Sequence, residues 1–298
     1  MHVQAIINPT SGGRRALRQW YRVRAVLEQA GWQIEERISE RRGHARDLAA
    51  GASARVVLAA GGDGTAHEVA NGLLQSRRGG VMAVLPLGTG NDFARALGLP
   101  RDPLAAAAML IRCKPRALDV GEVNGRYFLT ISGVGFDGEV ARQVNAWPKV
   151  LSAVTMYGLG ILKTLVTYRP VEASITANGF TERERLFLLA VANTAWNAGG
   201  MWLVPQARPD DGFLHAVIAG PLTRLETLLV LPKVFSGGHL GHPKVRAVQA
   251  REIRVTSEVP LAIQADGEAV GTIPAVFRVH PGALPVLAPV PEPTPGAR

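Results

Sequence analysis

The stretch Arg55–Thr65 constrains the fold of this chain more than any other part of the sequence. Five apolar residues in a row, Val56–Ala60, predict a parallel strand that is buried on both faces. The glycine-rich segment Gly61–Thr65 follows directly, and residues 66–74 have the apolar spacing of a helix. A strand end, a glycine turn and a helix N-terminus therefore meet within a few residues, and this geometry suits a bound phosphate.

Asp63 is the unusual residue in this segment. A carboxylate repels phosphate unless a metal ion lies between the two. A tight turn that simply places Asp63 near a helix start explains the segment alone equally well. The choice between these interpretations depends on the rest of the chain.

The first half repeats the same unit of strand, loop and helix. Strands are predicted at Val3–Ile7, at residues 32–38 and at Val81–Leu85. Such a repeat predicts a doubly wound parallel α/β sheet, whose ligands lie at the carboxyl ends of the strands. The three glycine loops, at residues 8–13, 61–65 and 86–92, all fall at such ends.

The second half has a different pattern. Asn124-Gly125 and Asn178-Gly179 each lie between two strand-like runs, which is the strongest short-range signal for a β-hairpin. From about residue 120 we predict an antiparallel β-sandwich, interrupted by helices at 150–167 and 224–235. The predicted domains are an α/β nucleotide-binding domain at 1–118, a β-sandwich domain at 119–287 that binds the substrate, and a proline-rich tail at 288–298 that is expected to fray.

The predicted helix at 150–167 is apolar on most sides. It could line an apolar substrate cleft, but packing in the core is the favoured interpretation. The segment His239–His242 has a spacing that suits a metal, yet no third ligand clusters with it, so a loop is favoured there.

Charge and cysteine content indicate the kind of partner and the compartment. The net charge of +9 over 298 residues indicates an anionic partner. Nucleic acid is the weaker choice, because no stripe alternates basic and aromatic residues. A single cysteine, Cys113, fits a reducing, cytoplasmic setting, and the chain shows neither a signal-peptide pattern nor an apolar run long enough to span a bilayer.

Acidic residues next to glycine recur in the second half, at Asp210–Gly212 and at Asp266–Glu268. Turns at strand ends explain such pairs by themselves. A kinase, however, needs little more than a phosphate cradle, Mg²⁺ held by carboxylates and one carboxylate that accepts the proton of the acceptor. We expect these parts to meet in a cleft between the two domains.

Five segments together resemble one known family. In chain order they are NPTSGG, GGDGTAHEVANGLL, LPLGTGNDFARALGLP, VPQARPDDGFLHAVI and IQADGEAV. They are similar to the diacylglycerol kinase catalytic-domain family, most closely to its soluble bacterial lipid kinases, over about residues 1–287. GGDGT alone also occurs in NAD kinases, whereas PLGTGNDFAR together with the late DGE is far more specific.

The resemblance implies an ATP site built from the first-half loops. Ser39 takes a place where relatives often carry a threonine that touches ATP. The residues implied in nucleotide binding are Asn8, Ser39, Gly61, Gly62, Asp63, Gly64, Thr65, Ala66, His67, Thr89, Gly90 and Asn91.

The resemblance also implies metal ligands and a base. Asp63, Asp92 and Asp119 resemble the acidic residues around a catalytic Mg²⁺. A second Mg²⁺ would use the side chain of Asp211 and the backbone carbonyls of Arg208 and Phe213. Asp266 resembles the general base, and Glu268 assists it.

The expected function is therefore transfer of the γ-phosphate of MgATP to a free hydroxyl of a membrane lipid, by an enzyme peripherally attached to an anionic membrane. NAD kinase activity and a non-catalytic regulator that binds nucleotide or lipid remain the alternatives. Which lipid is used stays open, as does the oligomeric state, for which a homodimer is one expectation.

Overall fold

A computed structural model of the protein describes residues 1–76, 79–147 and 153–289. The chain forms two compact units, one of Met1–Ala117 with the residues from Leu284 onward, and one of Leu118–Ala283. The domain bounds predicted from the sequence differ in placing Leu118 with the first domain and 284–287 with the second, and they stay a prediction. Ala288, predicted to begin the tail, is the last residue of a strand. The first residues of the helix expected at 150 and the tail from 290 lie outside the described residues.

The first unit is a parallel α/β fold, as predicted. Its four parallel strands lie in the order β2-β1-β3-β4, and Val286 of the last strand pairs in parallel with Met82 of β4. The strands are β1 His2–Ile7, β2 Gln33–Ile38, β3 Val56–Gly61 and β4 Val81–Pro86. The helices are α1 Ser11–Arg14, α2 Ala16–Gln29, α3 His44–Ala50, α4 Asp63–Gln75, α5 Asp92–Ala96 and α6 Pro103–Leu110.

The strand β3 is buried over its whole length, as its apolar run predicts. Helix α6 was not predicted from the sequence. Asp102 caps this helix by accepting a hydrogen bond from the backbone N–H of Ala105 at 2.9 Å, and Pro103 occupies its first position. This Asp-Pro pair is the start signal that could have revealed α6.

The second unit is an antiparallel β-sandwich. One sheet has the order β12-β11-β10-β7-β14-β15, and the other contains β16-β13-β8-β9 with β5 and β6 beside β16. The strands are β5 Lys114–Val123, β6 Arg126–Phe128, β7 Ile131–Gly135, β8 Val171–Ala177, β9 Phe180–Leu186, β10 Leu188–Ala192, β11 Leu214–Ala219, β12 Val245–Ala250, β13 Glu252–Thr256, β14 Ala262–Ala265, β15 Glu268–Thr272 and β16 Ala275–Ala288.

The core of the second unit lies between its two sheets. Leu189 and Ile263 from one sheet pack in the same buried cluster as Ile253 and Phe277 from the other. Both predicted hairpins are confirmed: Val123 pairs with Arg126 across Asn124-Gly125, and Ala177 pairs with Phe180 across Asn178-Gly179. The turn residues all have positive φ, as a type I′ turn requires.

Helices cover the outer face of the six-stranded sheet β12-β11-β10-β7-β14-β15. They are α7 Phe136–Ala146, α8 Ala153–Thr167 and α9 Arg224–Val230, followed by 3₁₀ segments at Leu231–Ser236 and Gly238–Gly241. The helix predicted at 224–235 ends earlier as an α-helix, because Pro232 has no N–H to continue the ladder. No helix in the described ranges combines the length and the apolar character needed to cross a bilayer.

Candidate functional site

The three glycine loops of the first unit lie side by side at the carboxyl ends of β1, β3 and β4. The N–H of Asn8 donates to the carbonyl of Ala60 at 3.1 Å, and its side-chain Nδ2 donates to Thr65 Oγ1 at 3.2 Å. The loops after β3 and β4 are in backbone contact, since a Cβ added to Gly88 would lie 2.4 Å from the Cα of Gly62. Glycine is therefore required at Gly88, where the two loops approach each other.

The loop after β3 runs directly into the N-terminus of α4. The N–H groups of Thr65 and Ala66 donate to the carbonyl of Gly62 at 3.0 and 3.1 Å, which closes the first turn. A Cβ on Gly61 would lie 2.3 Å from Thr65 Oγ1. The turn is thus compact, and the positive end of the helix dipole points to the carboxyl edge of the sheet, where an anion is stabilised.

The loop after β4 is held by its own side chains. Asn91 has a left-handed backbone with φ 55°, accepts the N–H of Gly88 at 3.0 Å and donates to the Gly88 carbonyl at 2.9 Å. Thr89, between them, is exposed. Of the residues implied in nucleotide binding, Thr89 and Gly64 are the exposed ones, whereas Ser39 and His67 are buried. Ser39 Oγ donates to the carbonyl of Ile7 at 3.3 Å.

Two of the predicted acidic residues connect these loops to α5. Asp63 Oδ1 accepts the backbone N–H of Phe93 at 3.1 Å. Asp92 is buried, and its Oδ1 lies 3.8 Å from a guanidinium nitrogen of Arg95. Both carboxylates are therefore positioned by the protein itself.

Asp266 lies in a tight turn of the second unit, between β14 and β15. Ala265 pairs with Glu268, so Asp266 and Gly267 form a two-residue turn, with φ 47° and 84°. The carboxylate of Asp266 accepts the N–H groups of Leu129 at 2.7 Å, Thr130 at 2.9 Å and Ile131 at 3.2 Å, and the hydroxyl of Thr130 at 2.5 Å. These donors stabilise the ionised carboxylate and fix its orientation.

Asp119 fastens the loop that carries Asp211. Its carboxylate is buried and accepts the N–H groups of Gly212 at 2.7 Å and Gly282 at 2.8 Å. Its own N–H donates to the carbonyl of Pro209 at 2.7 Å. Asp119 is thus bound from three sides within the second unit.

Asp211 is oriented by His215, which was not identified from the sequence. Its Oδ1 accepts the N–H of Phe213 at 3.0 Å, and its Oδ2 lies 2.7 Å from Nε2 of the buried His215. Because an ionised carboxylate can only accept hydrogen bonds, Nε2 of His215 is the donor in this contact. The i, i+4 spacing of Asp211 and His215 was visible in the sequence but did not mark a pair, because the segment begins in a loop and ends in a strand.

Carboxylate and carbonyl oxygens are the ligands that Mg²⁺ prefers, and the predicted second site, Asp211 with the carbonyls of Arg208 and Phe213, consists of such oxygens. Within the described ranges, no three acidic, histidine or cysteine side chains lie close enough together to hold a metal ion. The metal assignments, including Asp63, Asp92 and Asp119, therefore stay predictions.

An apolar cavity of about 100 Å³ lies in the second unit, on the outer face of the sheet. This cavity was not predicted from the sequence, because its walls come from distant segments. Its apolar lining consists mainly of Phe136, Val140, Ile161, Phe187, Met201, Leu203, Val217, Ala219, Leu222, Val230, Leu231, Val234 and Val245. The polar residues among its walls are Asp137, Asn197, Thr227 and His239.

Asp137 is the carboxyl of this cavity and is partly buried. Burial raises the pKa of its carboxyl, and the hydrogen bond from Gln264 Nε2 at 2.7 Å opposes that rise. Gln264 Oε1 in turn accepts the N–H of Gly267 at 2.7 Å. The side chain of Gln264 thus connects the cavity wall to the turn that contains Asp266.

His239 is buried in the same wall. Its Nε2 lies 2.8 Å from the carbonyl of Leu203, and burial is the main cause that lowers its pKa. The imidazole is therefore neutral and structural. His239, predicted to lie in a loop, is part of the 3₁₀ segment Gly238–Gly241, and His242 follows it.

The fold and the site define a class of protein. Its members combine, in one chain, a parallel α/β unit whose glycine loops suit a bound phosphate and an antiparallel β-sandwich. Residues 2–123 match the family model described as diacylglycerol kinase catalytic domain, and residues 130–288 match the YegS C-terminal NAD kinase beta sandwich-like domain. The chain belongs to the diacylglycerol kinase catalytic-domain family.

Curated relatives support this membership. A diacylglycerol kinase of Bacillus subtilis is 33% identical over 278 residues, covering 91% of both chains. One of Staphylococcus haemolyticus is 32% identical over 277 residues, covering 91% of this chain and 83% of the relative. A crystal structure of a diacylglycerol kinase from Bacillus anthracis aligns over 97% of both chains with a TM-score of 0.70 and 20% identity, which shows the shared fold.

Proposed function

We propose that this protein is a lipid kinase that transfers the γ-phosphate of MgATP to a free hydroxyl of a membrane lipid of the diacylglycerol or phosphatidylglycerol type. Its relatives that are named diacylglycerol kinases make this the first substrate class to test.

The observation that carries the proposal is the short connection between an acidic turn and an apolar cavity. Asp137 in the cavity wall is bonded to Gln264, and Gln264 is bonded to Gly267 beside Asp266. An apolar molecule whose chain occupies the cavity would therefore have its polar end near a carboxylate. This pairing suits a lipid alcohol, whereas the strongly polar NAD gains nothing from an apolar pocket.

The loops of the first unit are proposed to hold ATP. Backbone amides at Gly61–Thr65 and the N-terminus of α4 would face the phosphates. The exposed hydroxyl of Thr89 can contact the nucleotide directly. Asn8 would act by fixing Thr65, and Asn91 by fixing Gly88. Ser39, Ala66 and His67 are buried, so a role of their side chains would be to support the loops.

The metal ligands are proposed from the same resemblance. Asp63, Asp92 and Asp119 would hold one Mg²⁺, and Asp211 with the carbonyls of Arg208 and Phe213 a second. When bound, Mg²⁺ offsets negative charge on the phosphate oxygens. His215 would hold the carboxylate of Asp211 in one orientation, as groups behind metal ligands commonly do.

Asp266 is proposed to accept the proton of the lipid hydroxyl, with assistance from Glu268. As the new O–P bond forms, the bond from the γ-phosphorus to the bridging oxygen breaks and ADP leaves. Residues 129–131 supply four hydrogen-bond donors to the carboxylate of Asp266. Among these donors, the hydroxyl of Thr130 is the one that can rotate away and free one site for the incoming proton.

Asp266→Asn tests the base. We expect turnover to fall about 10²–10⁴-fold, because the amide cannot take the proton. The amide also faces three N–H donors, which costs about 1–3 kcal/mol of stability. Kinetics are therefore measured below the melting point of the variant, with ATP binding by calorimetry. Thr130→Val, which removes only the hydroxyl, is the matched control and retains the base. A folded, ATP-binding Asp266→Asn protein with near-normal turnover would remove Asp266 from this role.

Attachment to the membrane is proposed to be peripheral and electrostatic. The net charge of +9 favours an anionic surface, and each Lys or Arg close to such a surface contributes about 1 kcal/mol. Binding should therefore weaken as salt rises.

A further inference from the structure

Helix α8 has a second apolar face whose described side chains are largely exposed. Met156 and Thr164 are buried, whereas Leu159, Leu162 and Val166 are exposed on the opposite side. The spacing of three and four residues places these three side chains along one stripe. A helix that is apolar on both sides is unusual for a surface facing water.

Helix α9 and the 3₁₀ segment after it repeat this arrangement. Val230 and Val234 face the cavity, whereas Leu225, Leu228, Leu229 and Phe235 are exposed. The exposed fractions on the two helices run from 46% at Leu159 to 68% at Leu225.

The two apolar stripes belong to one surface. The guanidinium of Arg224, at the start of α9, donates to the carbonyl of Val166 near the end of α8 at 2.7 Å. Seven of the thirteen large apolar side chains that are exposed in the described ranges lie on these two elements. We call this surface the docking face; its members are Leu159, Leu162, Val166, Leu225, Leu228, Leu229 and Phe235.

The charges on these elements are almost all positive. Lys163 lies over the ring of Trp147 at 5.4 Å, and Lys233 is exposed. The only acidic residue on α8, α9 and the segment to Ser236, within the described residues, is Glu226, and Lys244 neutralises it at 2.8 Å. An apolar patch with cations and no free acid matches an anionic lipid surface. A second copy fits less well, because it would bring like charges together.

A tryptophan pair adjoins the docking face. The rings of Trp196 and Trp202 are stacked with centroids 5.7 Å apart. The backbone N–H of Trp202 donates to the carbonyl of Val234 at 3.0 Å, next to Phe235. Both indoles are only partly buried. Tryptophan is enriched where protein meets the headgroup layer of a bilayer.

We infer that the docking face inserts into the surface of an anionic bilayer, so that the cavity behind α8 and α9 opens towards lipid. Ile161 lines the cavity from the inner side of α8, and Val230 does so from α9. The same two helices thus contact the bilayer outside and the cavity inside. This inference rests on the proposed function, because it names the partner surface of that lipid site.

The test measures vesicle binding alone, without ATP or phosphoryl transfer. Wild type, the double variant Leu162→Glu/Leu229→Glu and the control Phe180→Glu are sedimented with phosphatidylcholine vesicles that do or do not contain phosphatidylglycerol. Phe180 is 78% exposed at the hairpin end of β9, so it is an apolar surface residue outside the docking face. We expect the double variant to lose at least about tenfold in affinity, because two charges replace inserted leucines. The control should bind like wild type.

A second pair of substitutions tests the charge. Lys163→Glu/Lys233→Glu should bind vesicles that contain phosphatidylglycerol no better than pure phosphatidylcholine. All substituted positions are exposed, so melting temperatures should match wild type. Equal binding of wild type and the leucine variant would overturn the inference. So would a wild-type dimer that this variant converts to monomer while vesicle binding is unchanged, because the occupant would then be a second copy.

Failure of the two proposals can be told apart. Phosphoryl transfer is assayed separately, with wild-type protein and a short-chain diacylglycerol in detergent micelles. Transfer in micelles combined with unaltered vesicle binding of the leucine variant would leave the kinase and remove the docking face. Vesicle binding as expected, without phosphoryl transfer to any lipid, would support the docking face and contradict the kinase.

Discussion

At the scale of single residues, Asp137 has the clearest measurable consequence. Burial raises the pKa of its carboxyl, so the folded protein binds this proton more tightly than the unfolded chain does. Its contribution to stability is complete below the unfolded pKa of about 3.9 and is lost as pH rises through the folded value. The neutral form also suits the apolar cavity that Asp137 lines.

Asp137→Asn should remove this pH dependence. Asparagine is neutral at every pH and can still accept the hydrogen bond from Gln264. We expect the difference in unfolding free energy between variant and wild type to shift in favour of the variant by about 1 kcal/mol or more as pH rises from acid to neutral. Urea unfolding at a series of pH values measures it. Parallel curves for the two proteins would contradict the assignment.

The residue scale also shows what sequence could and could not predict. The segments that hold Asp63, Asp92, Asp211 and Asp266 are recognisable because each motif is local. The partners of Asp266 are not local, because they are the backbone groups of 129–131. His215 is only four residues from Asp211, but their contact depends on how the loop leads into the strand.

At the scale of elements, α8 provides a matched pair of glycines. Among the described residues, a Cβ on Gly158 would meet no atom within 4 Å, whereas one on Gly160 would lie 2.6 Å from Val144 Cγ2 and 3.3 Å from Val140 Cγ1 of α7. Gly160 is therefore the residue that lets α7 and α8 approach each other.

Gly158→Ala and Gly160→Ala should change stability in opposite directions. The first should stabilise by about 0.5–1 kcal/mol, because alanine reduces the entropy of the unfolded chain. The second should destabilise by about 1–3 kcal/mol through overpacking. Denaturant midpoints of the two single variants measure this, and a shift of the same sign in both would refute the packing of α7 on α8.

The elements that sequence predicts are those with a local signal. The buried run of β3 and the two Asn-Gly turns are such cases. Helix α7 was missed, although Phe136, Val140 and Val144 recur every four residues, because Asp137 and Gly138 interrupt the pattern. The favoured packing of the helix at 150–167 in the core accounts for one face only, since its other face is exposed.

At the scale of the whole molecule, the central claim is that this chain phosphorylates a lipid. The direct measurement incubates the purified protein with labelled ATP and Mg²⁺, and offers diacylglycerol, phosphatidylglycerol, ceramide, a sphingoid base and NAD as acceptors in parallel. We predict label in one or more of the lipids, none in NAD, and loss of the lipid product with Asp266→Asn. Label in NAD, or no label in any lipid while ATP is bound, would contradict the account.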